Sequence, residues 1–133
     1  MNKYIIIALF FVFTACSVGD DEKNQFVVLP ITSVDIPVSF KKDSISNFVL
    51  KYKRPTDCHI FNGVYYEAIG NERHVGINAV RLLENNCQPE NLTEFEVPLQ
   101  FKPLETGVYV FKFITAVDAT GTETYQTNSI LVE

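Results

Sequence analysis

Leu104-Glu105-Thr106-Gly107-Val108-Tyr109-Val110-Phe111-Lys112-Phe113-Ile114 carries the pattern that decides the fold. Tyr109, Phe111 and Phe113 fall on alternate positions, and Val108, Val110 and Ile114 oppose them. Side chains two apart share one face of an extended strand, and aromatic and β-branched residues suit its pleated surface. Working outward, the same period recurs. Phe95, Val97, Leu99 and Phe101 form one face, and Val75, Ile77 and Ala79 form another before Leu82. Phe48, Leu50 and Tyr52 alternate with Lys51 and Lys53. Val34, Ile36, Val38 and Phe40 alternate with Ser33, Asp35, Pro37 and Ser39; Pro37 lacks an N–H and predicts an edge or a bulge there. Ile60-Phe61, then Asn62-Gly63, then Val64-Tyr65-Tyr66 reads as a hairpin, because Asn-Gly is the strongest two-residue turn signal. Tyr125 to Val132 closes the chain, and no amphipathic helix interrupts the series. Seven or eight short strands without crossover helices predict an all-β fold of antiparallel sheets packed face to face.

Leu104-x-x-Gly107-x-Tyr109-x-Phe111, followed by Asp118-Ala119-Thr120-Gly121 and a last strand, resembles the final two strands of many bacterial immunoglobulin-like domains. The resemblance implies an immunoglobulin-like antiparallel β-sandwich. It also implies that the Tyr109 hydroxyl bonds back to the backbone of the preceding corner, with Gly107 permitting that corner and Gly121 supplying a positive φ in the last turn. The chain departs from the antibody pattern: it has no Trp, and Phe111 stands where an antibody domain has a cysteine. What carries over is architecture, not an immune-type role.

Ahead of the strands lies a leader. Lys3 precedes an apolar or near-apolar run from Tyr4 to Ala15, and Phe13-Thr14-Ala15 leads into Cys16. Those 12 residues cover about 18 Å as a helix, against a hydrocarbon core of about 30 Å. That length suits a secretory signal and is too short for a span. Residues 1–16 resemble the lipobox signals of bacterial lipoproteins, with Phe13 where Leu is usual. The resemblance implies cleavage before Cys16, a cleaved signal helix over residues 1–15, and a lipid anchor on the Cys16 thiol and amine. Asp20-Asp21-Glu22 resembles the acidic export tag of Bacteroidota lipoproteins, which implies the outer membrane and display at the cell surface; read as a solvated tether alone, the same three residues leave a periplasm-facing position open. Residues 16–25 are then a lipidated cysteine and acidic tether, and residues 26–133 are the sandwich domain. Cys58 to Tyr66, Cys87, Phe111-Lys112-Phe113 and Asp118-x-x-Gly121 are also similar to small lipoproteins of flavobacteria, a likeness that brings no activity with it.

The chain has 133 residues and three cysteines. With Cys16 assigned to lipid, Cys58 and Cys87 remain for an oxidising compartment, where a structural disulfide is expected. A redox-active pair is the alternative, but it usually shows Cys-x-x-Cys spacing. The bridge ties the polar loop from Cys87 to Glu94 to the start of the predicted hairpin, and in the chain-entropy model such a loop is worth about 3.5 kcal/mol. Loss of Lys3 with the leader leaves 10 basic residues against 16 acidic ones, which argues against nucleic acid as a partner. Lys41, Lys42, Lys51, Lys53 and Arg54 form a local basic group, read as a solvated sheet face.

Chemistry-bearing motifs are scarce. His59 and His74 lie on different predicted strands without metal-ligand spacing, so neither a metal nor another cofactor is expected. There is no Gly-x-Ser-x-Gly, no phosphate loop, and no carboxylate pair singled out by spacing. Asn91-Leu92-Thr93 fits an N-glycosylation acceptor, which the lipobox resemblance, implying a bacterial source, makes a chance match, and Asp43-Ser44-Ile45 resembles a short Bacteroidota O-glycosylation motif. Adjacent Tyr65 and Tyr66 point to opposite faces of a strand, so one is expected in solvent; they are the candidate ligand contacts. The expectation is a lipid-anchored envelope module that binds a protein or glycan without catalysis. The alternatives are an inhibitor or immunity lipoprotein and an enzyme whose site has no motif.

Overall fold

In the computed structural model, residues 23–133 are described, and they build nine strands in two sheets. In chain order these are β1 (Asn24–Leu29), β2 (Ile31–Asp35), β3 (Ser39–Phe40), β4 (Ser46–Lys53), β5 (His59–Ile69), β6 (Glu72–Leu82), β7 (Glu94–Phe101), β8 (Gly107–Val117) and β9 (Glu123–Val132). The small sheet runs β2-β4-β7, all antiparallel. The large sheet is built on β6. β5 pairs along one edge of β6, and the other edge is shared. β8 lies parallel to β6 over Glu72–Val75, and β1 antiparallel over Ile77–Leu82. β9 continues antiparallel from β8, and β3 adds a parallel pairing at the outer edge.

The expected sandwich is there, with two parallel pairings added to the antiparallel scheme. Parallel neighbours need a long crossover, and β7, which crosses to the small sheet between β6 and β8, provides it. The extra strands come from proline. Pro30 separates β1 from β2, and Pro37 separates β2 from β3. Without an N–H, each proline ends one ladder. The segment moves at each of them, from the large sheet to the small one and back. The alternation of Val34, Ile36, Val38 and Phe40 is therefore not one strand: Phe40 is in the core, whereas Val38 is 95% exposed. β1 also begins at Asn24, so Asn24 and Gln25 belong to the sheet rather than to the tether.

Asn62-Gly63 is not the hairpin turn. Both residues lie within β5, at a bulge between Phe61 and Val64, where Gly63 has φ 95°. The turn is Gly70-Asn71, with Gly70 at φ 59°, the positive first position that a type II′ hairpin requires.

The core is aromatic. Phe111 is fully buried, with ring centroids 5.1 Å from Phe101, 5.7 Å from Phe48, and 5.9 Å from both Phe40 and Phe113. Leu50, Val75, Ile77 and Val132 fill the space around these rings. Gly107 and Gly121 take the expected positive φ, at 120° and 83°. The Tyr109 hydroxyl differs from expectation. Among the described residues it makes no bond back to the corner; the ring instead packs edge-on to Phe101 at 5.5 Å and lies under the Arg73 guanidinium at 4.9 Å.

Candidate functional site

Because β6 and β8 run parallel, the domain has two distinct ends. The near end holds the C-termini of β6 and β8, the start of β1 and the disulfide. The far end holds the Gly70-Asn71 turn, the start of β8 and the 102–106 loop. β6 has 11 residues, which span about 36 Å as a strand, so the two ends are well separated.

A cleft of 570 Å³ opens at the far end between the two sheets. The large sheet is wider than the small one, so β5 and the first residues of β6 project beyond β7. Tyr66, paired with core-facing Val75, therefore turns inward yet stays 41% exposed. Arg73 occupies the next inward position of β6. Its Nη1 donates to the carbonyls of Gly70 at 2.8 Å and Glu72 at 2.7 Å, which holds the guanidinium over the Tyr109 ring. The turn is docked to β8 in turn: Asn71 Nδ2 donates to the Val108 carbonyl at 3.1 Å, and Val110 N–H to the Asn71 carbonyl at 3.0 Å. Burial pushes the Tyr66 phenol up in pKa, against a smaller downward pull from Arg73. Exposed Leu104 and Val108 add apolar wall, and Lys102 and Glu105 add charge. An aromatic face, an immobilised cation and apolar walls in a volume of this order are the chemistry that ligand clefts use.

Tyr65 faces the other way, onto the outer surface of the large sheet. Opposite it on β6 is Gly76, and the missing side chain there makes room for Ile114: a Cβ on residue 76 would stand 2.8 Å from Ile114 Cδ1. Ile114 is fully buried although it lies outside the sandwich. Beside it, Tyr125 packs edge-on to His74 at 5.4 Å. Tyr65 donates to Glu67 and Tyr125 to Glu123, and these hydrogen bonds are the largest cause raising both phenols to about 12. Glu72 joins His74 and Lys112, each at 2.9 Å, and its carboxyl is held below the ordinary range, first by the His74 bond and then by Lys112. Tyr65 and Tyr66 do occupy opposite faces, as alternation predicts, but neither reaches the core.

Cys58 and Cys87 form the expected disulfide, with Cα atoms 5.5 Å apart. Around it, Asp57 N–H donates to the Gln88 carbonyl and Gln88 N–H to Asp57 Oδ1, so the polar loop is stitched to residues 55–58. Asp57, Cys58 and Cys87 are close enough to resemble a metal cluster, but a disulfide leaves no thiolate to ligate. His59 does not decorate the strand surface. It is buried, its Nδ1 is 2.9 Å from the Thr56 hydroxyl, and desolvation lowers its pKa. The Thr56 oxygen also accepts the Cys58 N–H, and the Thr56 carbonyl accepts that of His59. The hydroxyl–imidazole pair is therefore part of the turn before β5. Among the described residues no carboxylate orients its other ring nitrogen, as a triad would require.

The basic group is dispersed. Lys51 pairs with Glu96 at 3.3 Å and with Asp35 at 3.9 Å, Arg54 pairs with Glu90 while covering Phe95, and Lys41 and Lys42 lie at the far end beyond β3. Cys16, Asp20, Asp21 and Glu22 lie outside the described residues. Comparison of the chain with family models, curated proteins and solved structures finds no match in any of the three.

Arg73, Lys102 and Tyr109 were not legible as partners of Tyr66, because register and the unequal sheet widths bring them together. The only sequence signal is that Arg73 stands at the head of the alternating face formed by Val75, Ile77 and Ala79, where an apolar residue would continue it.

Proposed function

We propose that this protein is a non-catalytic binding module of the bacterial outer membrane, held by lipid on Cys16, that engages an envelope protein or glycan in its far-end cleft. The observation carrying the reading is the cleft itself, where Tyr66 is exposed beside an Arg73 already fixed by two carbonyls. A cation held in place before binding loses little freedom when a ligand arrives, and an exposed tyrosine ring can stack on a sugar or anchor a partner side chain. Position supports the same reading. The chain enters the domain at the near end, so an anchor at Cys16 presents the cleft away from the bilayer. The excess of acidic residues disfavours nucleic acid as the ligand.

A photoreactive amino acid placed at Leu104 tests this in intact cells, with the same probe at exposed Leu92 on the near end as control. The expected result is a discrete adduct at position 104 that Tyr66→Ala abolishes. Equal labelling from both positions, unchanged by Tyr66→Ala, contradicts the reading.

A further inference from the structure

Register places three apolar side chains in one row across the outer face of the large sheet at the near end. Ile60 pairs with Val80, and Val80 pairs with Phe26 on its other edge. Phe26 is 80% exposed, Ile60 43% and Val117 40%. Phe26, Val28 and Val117 line a shallow depression of 520 Å³, floored by Asn78 and closed by Ala119 and Gly121. Leu83, also exposed, accepts no shelter here: its N–H donates to the Lys23 carbonyl at 3.0 Å, which puts the point of chain entry beside the row.

We propose that the near-end edge of this face rests on the lipid bilayer that holds Cys16, with the strands inclined so that the far end of the same face stands clear of it. The proposal rests on the lipid-anchor reading and adds to it a definite orientation of the domain. Lys23 follows Cys16 by seven positions, and at full extension that stretch of chain reaches about 25 Å. That is less than the roughly 36 Å length of β6. The near end is thus confined to the membrane region, and Phe26 follows the entry point by three residues. An apolar group kept at a lipid surface gains by leaving water, and a covalent anchor removes most of the cost of bringing it there. A second copy of the chain is the weaker occupant. A stable dimer buries about 800 Å² per partner, more than one row of three side chains and a shallow depression offers.

The chain contains no tryptophan, so Phe26→Trp provides a single tryptophan, which is excited selectively at the red edge of its band where tyrosine does not absorb. The full lipidated protein carrying this change is reconstituted into phosphatidylethanolamine–phosphatidylglycerol vesicles with and without brominated acyl chains. Leu131→Trp, an exposed position at the far end, is the control. The expected result is a blue-shifted Phe26→Trp emission that brominated lipid quenches by more than half, with Leu131→Trp unaffected. Failure of brominated lipid to quench Phe26→Trp overturns the proposal, as does a blue shift that depends on protein concentration and not on lipid. The mass of the N-terminal peptide from the same preparation separates the two readings. A lipidated Cys16 without quenching sinks the orientation alone, and an unmodified Cys16 sinks the anchor and the orientation together.

Discussion

Tyr65 and Tyr125 each donate a phenol proton to a carboxylate two residues away on their own strand, and both titrate near 12 rather than at the ordinary value of 10.0. A raised pKa in the folded state contributes stability that is fully present below the unfolded value and is lost as pH rises through the folded one. Stability should therefore fall between about pH 10 and pH 12. The Tyr65→Phe, Tyr125→Phe double variant should show a flatter fall in urea titrations across that window. His59 acts at the other end of the scale. Burial lowers its pKa from 6.5, so its contribution is present above that value and is lost as pH falls through the depressed one. His59→Gln should flatten the acid limb of the same curve. Part of this scale was legible in sequence. Alternation put Tyr65 and Tyr66 on opposite faces, and the cysteine count paired Cys58 with Cys87. The outer cluster of Tyr65, His74, Ile114 and Tyr125 was not legible, because its members come from four strands and meet only through register and the gap at Gly76.

Strands β1 to β3 show how proline converts one reading into another. A period-two pattern across Val34 to Phe40 looks like a single strand, but the pattern does not say which sheet each part joins. Pro30 and Pro37 end one ladder and allow the next to begin on the opposite sheet. The Asn62-Gly63 signal failed for a related reason. A positive φ serves a bulge as well as a turn, and β5 continues past it to Gly70. Gly70→Ala, which forces a side chain into that conformation, should cost about 1 kcal/mol, whereas Asn62→Ala should be nearly neutral; urea denaturation measures both. The loop from Cys87 depends on its bridge and on the Asp57–Gln88 pair. Replacing both cysteines by serine should lower stability by up to about 3.5 kcal/mol, and reducing the wild-type protein should produce the same loss.

At the scale of the whole molecule, Phe111 is the residue both sheets share. It contacts Phe40 and Phe113 from the large sheet and Phe48 and Phe101 from the small one. Phe111→Ala should cost about 3–5 kcal/mol, enough to unfold a large share of a domain of ordinary stability. That a sandwich would form was legible from the alternating faces alone, since each face must find another to cover it. The parallel pairing of β6 with β8 was not, because periodicity names a face and not a neighbour. That pairing nonetheless sets the polarity of the molecule, with chain entry at one end and the Tyr66–Arg73 cleft at the other. The proposed function makes this an anchored module that holds its cleft away from the membrane, and that orientation depends on Cys16. The most direct measurement is incorporation of a radioactive fatty acid into the wild-type protein and into Cys16→Ser in growing cells. The account predicts label in the wild type, none in Cys16→Ser, and release of that variant from the membrane fraction. Equal label in both would contradict it.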